Sequence, residues 1–177
     1  TYLTKSNYWR YNDTGTDLGT VWRAPGYNDG TWPLGRGPLG YGDAPTNTVL
    51  SYGPDTNNKR PTYYFRAAFN ITGALPTNFT INLRRDDGAV IYHNGVEVLR
   101  TNMPAGAILY TTWASEAISG AGETNYLRAT IPVTNCIPGT NVIAVEMHQN
   151  TTNSSDLSFD LELIATAPPF VPLHDIA

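Results

Sequence analysis

A chain of 177 residues suits one β-sandwich domain and is short for two. Charged residues make up 15%, against about 25% in an average globular protein, and Thr, Asn, Ser, Gly and Tyr fill the difference. A net charge of −4 without a basic stripe argues against nucleic acid as a partner, and no run of 18 apolar residues is present to insert into a membrane as a helix. Cys136 is the single cysteine, which rules out an intrachain disulfide and a cysteine-based metal site.

The first sixty residues are rich in Gly, Pro, Asp and aromatics. They read as long loops wrapping a sandwich, with short strand candidates near Tyr8–Tyr11, Thr20–Arg23 and Val49–Tyr52. Strand alternation then becomes regular. In Tyr63–Ile71 the inward set is Tyr63, Phe65, Ala67, Phe69 and Ile71. In Asn78–Leu83 it is Phe79, Ile81 and Leu83. Asp86-Asp87-Gly88 is a turn. Two β-rich runs flank Asn94-Gly95, the pair best suited to a two-residue type I′ hairpin. Pro138 to Asn141 forms another turn and opens Val142–His148, with Ile143, Val145 and Met147 on one face and Val142, Ala144, Glu146 and His148 on the other. In Ser158–Leu163 a dry face of Phe159, Leu161 and Leu163 alternates with a wet face of Ser158, Asp160 and Glu162. Residues 165–177 carry Pro168, Pro169 and Pro172 and read as an extended tail or linker. No window shows sustained helical spacing. The expectation is an all-β fold, an antiparallel β-sandwich of eight or more strands over residues 1–164.

Several stretches carry a family resemblance. They are Trp9–Tyr11, Gly19–Gly26, Trp32 with Gly37–Gly42, Thr62–Arg66, Asp86–Gly95, Asn102–Pro104, Asn141–Gln149 and Ser155–Leu163. In this order the chain resembles a jelly-roll module of the galactose-binding-domain-like class, found in large secreted bacterial proteins. More distantly it is similar to the sugar-binding domains of β-galactosidase-like glycosidases. The resemblance covers residues 7 to 164. It implies a secreted or cell-surface sandwich, often attached to enzymes, whose function has to be argued from a site.

Four candidate sites follow. Arg85, Asp86 and Asp87 could hydrogen-bond sugar hydroxyls, or the two carboxylates could simply shape their turn. Among the loop aromatics, Tyr110 and Trp113 are the stacking candidates for a sugar ring, since CH groups meet the negative ring face. The resemblance implies a structural calcium, and Asp156, Asp160 and Glu162, with Asp13 or Asp17, offer hard oxygen ligands. Glu146 and His148 share a face; together they are too few for a zinc site, and His148 is expected to bond loop backbone or contribute to a ligand site. No nucleophile elbow, phosphate loop or zinc-protease motif occurs.

The reading is a non-catalytic extracellular module that binds a polysaccharide or other glycan. The alternative is a structural subunit of an extracellular filament or surface assembly, self-associating or joining neighbouring domains through its C-terminal tail. An enzyme with an unrecognised site stands third. Five Asn-x-Ser/Thr sequons, at Asn12, Asn70, Asn78, Asn150 and Asn153, permit glycosylation in a secreted chain.

Overall fold

A computed structural model describes residues 1–43 and 45–166. The tail expected beyond residue 166 lies outside the described residues. Eleven strands follow in chain order. They are β1 (Tyr8–Asn12), β2 (Leu34–Arg36), β3 (Leu39–Tyr41), β4 (Thr48–Val49), β5 (Thr62–Ile71), β6 (Asn78–Asp86), β7 (Gly88–His93), β8 (Val96–Thr101), β9 (Leu127–Ile131), β10 (Gly139–His148) and β11 (Leu157–Thr166), with a single helical turn, α1 (Ala121–Thr124), before β9. They form a six-stranded sheet in the order β2-β1-β5-β10-β7-β8 and a five-stranded sheet in the order β4-β3-β11-β6-β9. Every pairing is antiparallel except the short β3–β4 pair. The result is the expected β-sandwich, with strands distant in sequence set side by side.

The alternation expected of the strands decides which face is dry. Tyr63, Phe65, Ala67, Phe69 and Ile71 of β5 meet Phe79, Ile81 and Leu83 of β6, Ile143, Val145 and Met147 of β10, and Phe159, Leu161 and Leu163 of β11 in one core. Phe159 stacks on Phe65 at 4.2 Å between ring centroids and meets the edge of Trp9 at 4.9 Å. The β7–β8 hairpin turns on Asn94 (φ 49°) and Gly95 (φ 88°), the two left-handed residues that a type I′ turn requires.

Two expectations change. Thr20–Arg23 is not a strand: Val21–Arg23 forms a 3₁₀ turn, closed by Arg23 N–H to the Thr20 carbonyl and by the Trp22 indole N–H to the Gly19 carbonyl at 3.1 Å. The outer face of β11 is not uniformly wet. Ser158 and Asp160 are fully buried, and only Glu162 keeps partial exposure. The segment around Ser6 and the Tyr126 side chain cover that face, both bonding to Asp160.

The outer face of the six-stranded sheet carries a second apolar cluster. Trp22, Trp32, Tyr64, Val90, Tyr92 and Ala144 pack there, with Tyr27, Met103, Ile108 and Tyr110 against them. The loops of the first 33 residues and the loop after β8 therefore cover the middle of this sheet. Its β2-β1 edge is left more open.

Candidate functional site

Register places charged residues on that open edge. Trp9 points into the core, so Tyr8 and Arg10 on either side of it point outward. Phe65 and Ala67 point inward from β5, so Arg66 and Ala68 point outward. Arg10 and Arg66 are direct cross-strand partners. Like charges in that position repel unless each is neutralised. Arg10 donates to the Trp32 carbonyl at 2.8 Å. Arg66, nearly fully buried, donates to Asp29 Oδ2 at 2.7 Å and to the Trp22 carbonyl. The loop bearing Asp29 therefore hangs over the sheet on two guanidinium anchors. Beside it opens a groove of about 260 Å³ lined by Tyr8, Arg10, Asp29, Leu34, Arg66 and Ala68. Tyr8 is 59% exposed and Leu34 55% exposed, so the groove offers an aromatic ring and an aliphatic side chain to solvent.

A second, smaller pocket of about 80 Å³ lies under the loop after β8, between Tyr110 on one side and Asp17, Thr20 and Arg23 on the other. Glu146 forms its floor. The Glu146 carboxylate accepts from Arg23 at 3.1 Å and from the Tyr92 hydroxyl at 2.5 Å, and His148 Nε2 stands 3.6 Å from its other oxygen. His148 is fully buried, so no ligand in solvent reaches it. Its Nδ1 lies 2.8 Å from the Thr112 carbonyl and 3.0 Å from the Thr62 hydroxyl, which itself donates to the Tyr110 carbonyl. A carbonyl can only accept, so Nδ1 carries the proton. His148 thus holds the 110–112 loop by its backbone. Tyr110 and Trp113 on that loop are half-buried.

The acidic turn separates its members. Asp87 accepts from Ile118 N–H at 2.7 Å and Asn150 N–H at 2.8 Å, so its carboxylate joins two loops. Arg85 is half-buried, 3.5 Å from Thr101 Oγ1, and lines an apolar groove with Tyr126 and Leu127. Asp86 is fully buried, and neither of its oxygens has a hydrogen-bond partner. Burial first, then the Asp87 and Asp156 carboxylates, pushes its pKa far above the ordinary carboxylate range.

The proposed calcium ligands do not assemble as a set. Asp160 Oδ2 accepts from Ser6 N–H at 2.9 Å and the Tyr126 hydroxyl at 2.6 Å, and its Oδ1 from Leu161 N–H at 3.0 Å. Glu162 accepts from Asn82 at 2.7 Å, Asp13 from Ser51 N–H at 2.7 Å and Asp17 from Gly19 N–H at 2.9 Å. Asp156 goes elsewhere: its carboxylate gathers with those of Asp86 and Asp43, with one oxygen of each within 4.8 Å of the others. Sequence spacing could not reveal this trio, because β11 pairs with β3 on one side and β6 on the other and so brings three distant segments to one sheet end. Tyr8 and Arg10 did carry a signal: an inward Trp9 fixes both of its neighbours outward.

No protein-family model matches the chain, and no curated protein matches it. Among solved structures, a β-glucuronidase of Bacteroides uniformis is similar with a TM-score of 0.60 and 15% identity, over 94% of this chain and 18% of that one. A β-glycosidase from Bacteroides vulgatus gives a TM-score of 0.52 at 15% identity, over 92% of this chain and 20% of that one. A β-glucuronidase of Ruminococcus gnavus gives a TM-score of 0.51 at 11% identity, over 81% and 20%. At such identities the likeness is one of fold. This chain spans about a fifth of the length of those three glycosidases. The expected similarity to glycosidase β-sandwiches therefore holds for the fold, while the narrower galactose-binding-like assignment rests on sequence motifs.

Proposed function

We propose that the chain is a non-catalytic, extracellular carbohydrate-binding module, and that its glycan seats in the groove between Tyr8 and Asp29. The observation that carries this reading is the combination in one open groove of an exposed aromatic ring with a carboxylate and two guanidinium groups. A pyranose presents CH groups on one face and hydroxyls around its rim. Tyr8 supplies a ring for the CH face, and Leu34 extends the apolar surface. Asp29 can accept from hydroxyls, and Arg10 can donate to them. Arg66 holds Asp29 in place, so the groove is formed before the ligand arrives, which spares the cost of ordering it on binding.

The non-catalytic part of the reading is supported by the charge inventory of the groove. Glycoside hydrolysis needs two carboxylates across the scissile bond, and Asp29 is the single carboxylate among the described groove residues. That the similar glycosidases carry such a sandwich over about a fifth of their length fits an accessory role.

The test is affinity electrophoresis in gels holding soluble polysaccharides, with isothermal titration on whichever glycan retards the protein. Tyr8→Ala should weaken binding about tenfold, the loss of one stacking contact. Trp113→Ala should leave the affinity unchanged. The opposite pattern would move the ligand to the loop after β8. Failure of the wild-type chain to bind any glycan on a broad panel would end the proposal.

A further inference from the structure

The end of the five-stranded sheet holds an arrangement that the glycan reading does not use. Asp86 closes β6, Asp156 immediately precedes β11 and Asp43 follows β3 by two residues. Three carboxylates share this end, with one oxygen of each within 4.8 Å of the others. In water such a group disperses. Here Asp86 is fully buried, and Asp43 Oδ2 also lies buried without a partner.

Two other buried polar atoms stand beside the cluster with their bonding unmet. Gln149 is fully buried; its amide nitrogen donates to the Asp156 carbonyl at 2.8 Å and to the Tyr41 hydroxyl at 2.5 Å, and its Oε1 has no partner. Ser158 is the direct ladder partner of Asp86, so the two side chains leave the sheet on the same face, and its buried Oγ has no partner either. Buried polar atoms in native proteins are nearly always satisfied, and five unsatisfied oxygens at one place call for a shared positive partner. Among the described residues no cationic side chain forms an ion pair with the trio. Arg84 lies near Asp43; its Nε and Nη1 bond the Glu123 and Pro45 carbonyls, its Nη2 is buried without a partner, and it makes no ion pair with the trio.

We propose that Asp43, Asp86 and Asp156, with the Gln149 amide oxygen and the Ser158 hydroxyl, form a calcium site that ties together the ends of β3, β6 and β11. All five donors are hard oxygens, the set that calcium takes at about 2.3–2.6 Å, so oxygens on opposite sides of an ion stand about 5 Å apart. The trio has that spread. No nitrogen or sulfur donor belongs to the group, which disfavours zinc. Asp87, the next residue, bonds the Ile118 and Asn150 amides. An ion on Asp86 would therefore also steady the loops that Asp87 joins. The site is independent of the glycan groove, which lies on the other sheet.

The experiment uses the full chain stripped with EDTA and dialysed into metal-free buffer. Calcium chloride is titrated by calorimetry, and melting is followed with and without calcium; magnesium chloride serves as the comparison. One calcium per chain should bind, and the melting temperature should rise by about 5–10 °C when the ion is a hundredfold above its Kd. Asp86→Asn should lose the calcium response, because an amide offers the ion no carboxylate. Asp43→Asn, at the less buried edge of the cluster, is the second variant should Asp86→Asn fail to fold, and should weaken calcium binding at least tenfold. An unchanged wild-type melting temperature in calcium would overturn the site and leave a carboxyl pair sharing a proton. An equal response to magnesium would overturn the assignment to calcium.

Discussion

His93 is the residue whose surroundings make the clearest demand on pH. It is fully buried between Phe69 and Phe79, with ring centroids 6.0 and 5.6 Å away. Its Nε2 lies 3.2 Å from Asn141 Oδ1, an oxygen that also receives the Asn94 amide and Ile137 N–H. That oxygen can only accept, so Nε2 carries the proton; Nδ1 is bare and has no partner. Protonating Nδ1 would bury a charge against two aromatic rings. Burial accordingly holds the histidine pKa below its ordinary 6.5, against the opposing hydrogen bond to Asn141. With the folded value depressed, the unfolded chain takes the proton first. This contribution to stability is complete above about pH 6.5 and is lost as the pH falls from there toward the lower folded value. Denaturant melts at pH 7.5 and 5.0 check it: His93→Gln should lose less stability across that interval than the wild type, and equal losses would contradict the assignment. None of this was legible in the sequence. His93 sat in a recognisable hairpin, but its ring packs against Phe69 and Phe79 from strands that the sequence does not connect to it.

At the scale of elements, the alternation of β5, β6 and β10 was legible because each has one dry face, and every second residue had to be apolar. The hairpin at Asn94-Gly95 was legible because only left-handed residues turn so tightly. The outer face of β11 departs from its sequence pattern. Ser158 and Asp160 look like solvated residues, yet both are buried, Asp160 beneath the segment around Ser6 that folds back from the N-terminus and the Tyr126 side chain. Close approach between strands is equally hidden in sequence. Gly40 of β3 lies against β11 so tightly that a Cβ there would stand 1.8 Å from the Leu157 carbonyl oxygen, a backbone atom with no rotamer to yield. Gly40→Ala should force β3 away from β11 and cost about 3 kcal/mol, measured by urea melts. It should also weaken binding at the proposed calcium site, since Asp43 is carried into place by β3. A substitution that cost nothing would mean that the β3–β11 contact is looser than described.

For the molecule as a whole, composition and turn chemistry pointed to an all-β sandwich, and the fold and its likeness to parts of glycosidases agree with that. The proposed binding surface is harder to see. The aromatics that the sequence marks for stacking lie in loops, whereas the groove lies on a sheet edge, where Tyr8 escapes the cover that the loops of the first 33 residues and the loop after β8 lay over the middle of the sheet. Whether a side chain is covered depends on loop paths, and a sequence of Gly, Pro and Asp does not specify those paths. The most direct test of the glycan groove is an NMR titration of the isotope-labelled chain with the polysaccharide fragment that binds best, following backbone amide shifts. The account predicts perturbations concentrated at Tyr8, Arg10, Asp29, Leu34 and Ala68, with the 110–113 loop and the Asp86 turn unmoved. Shifts centred on Tyr110 and Trp113, with Tyr8 silent, would contradict it.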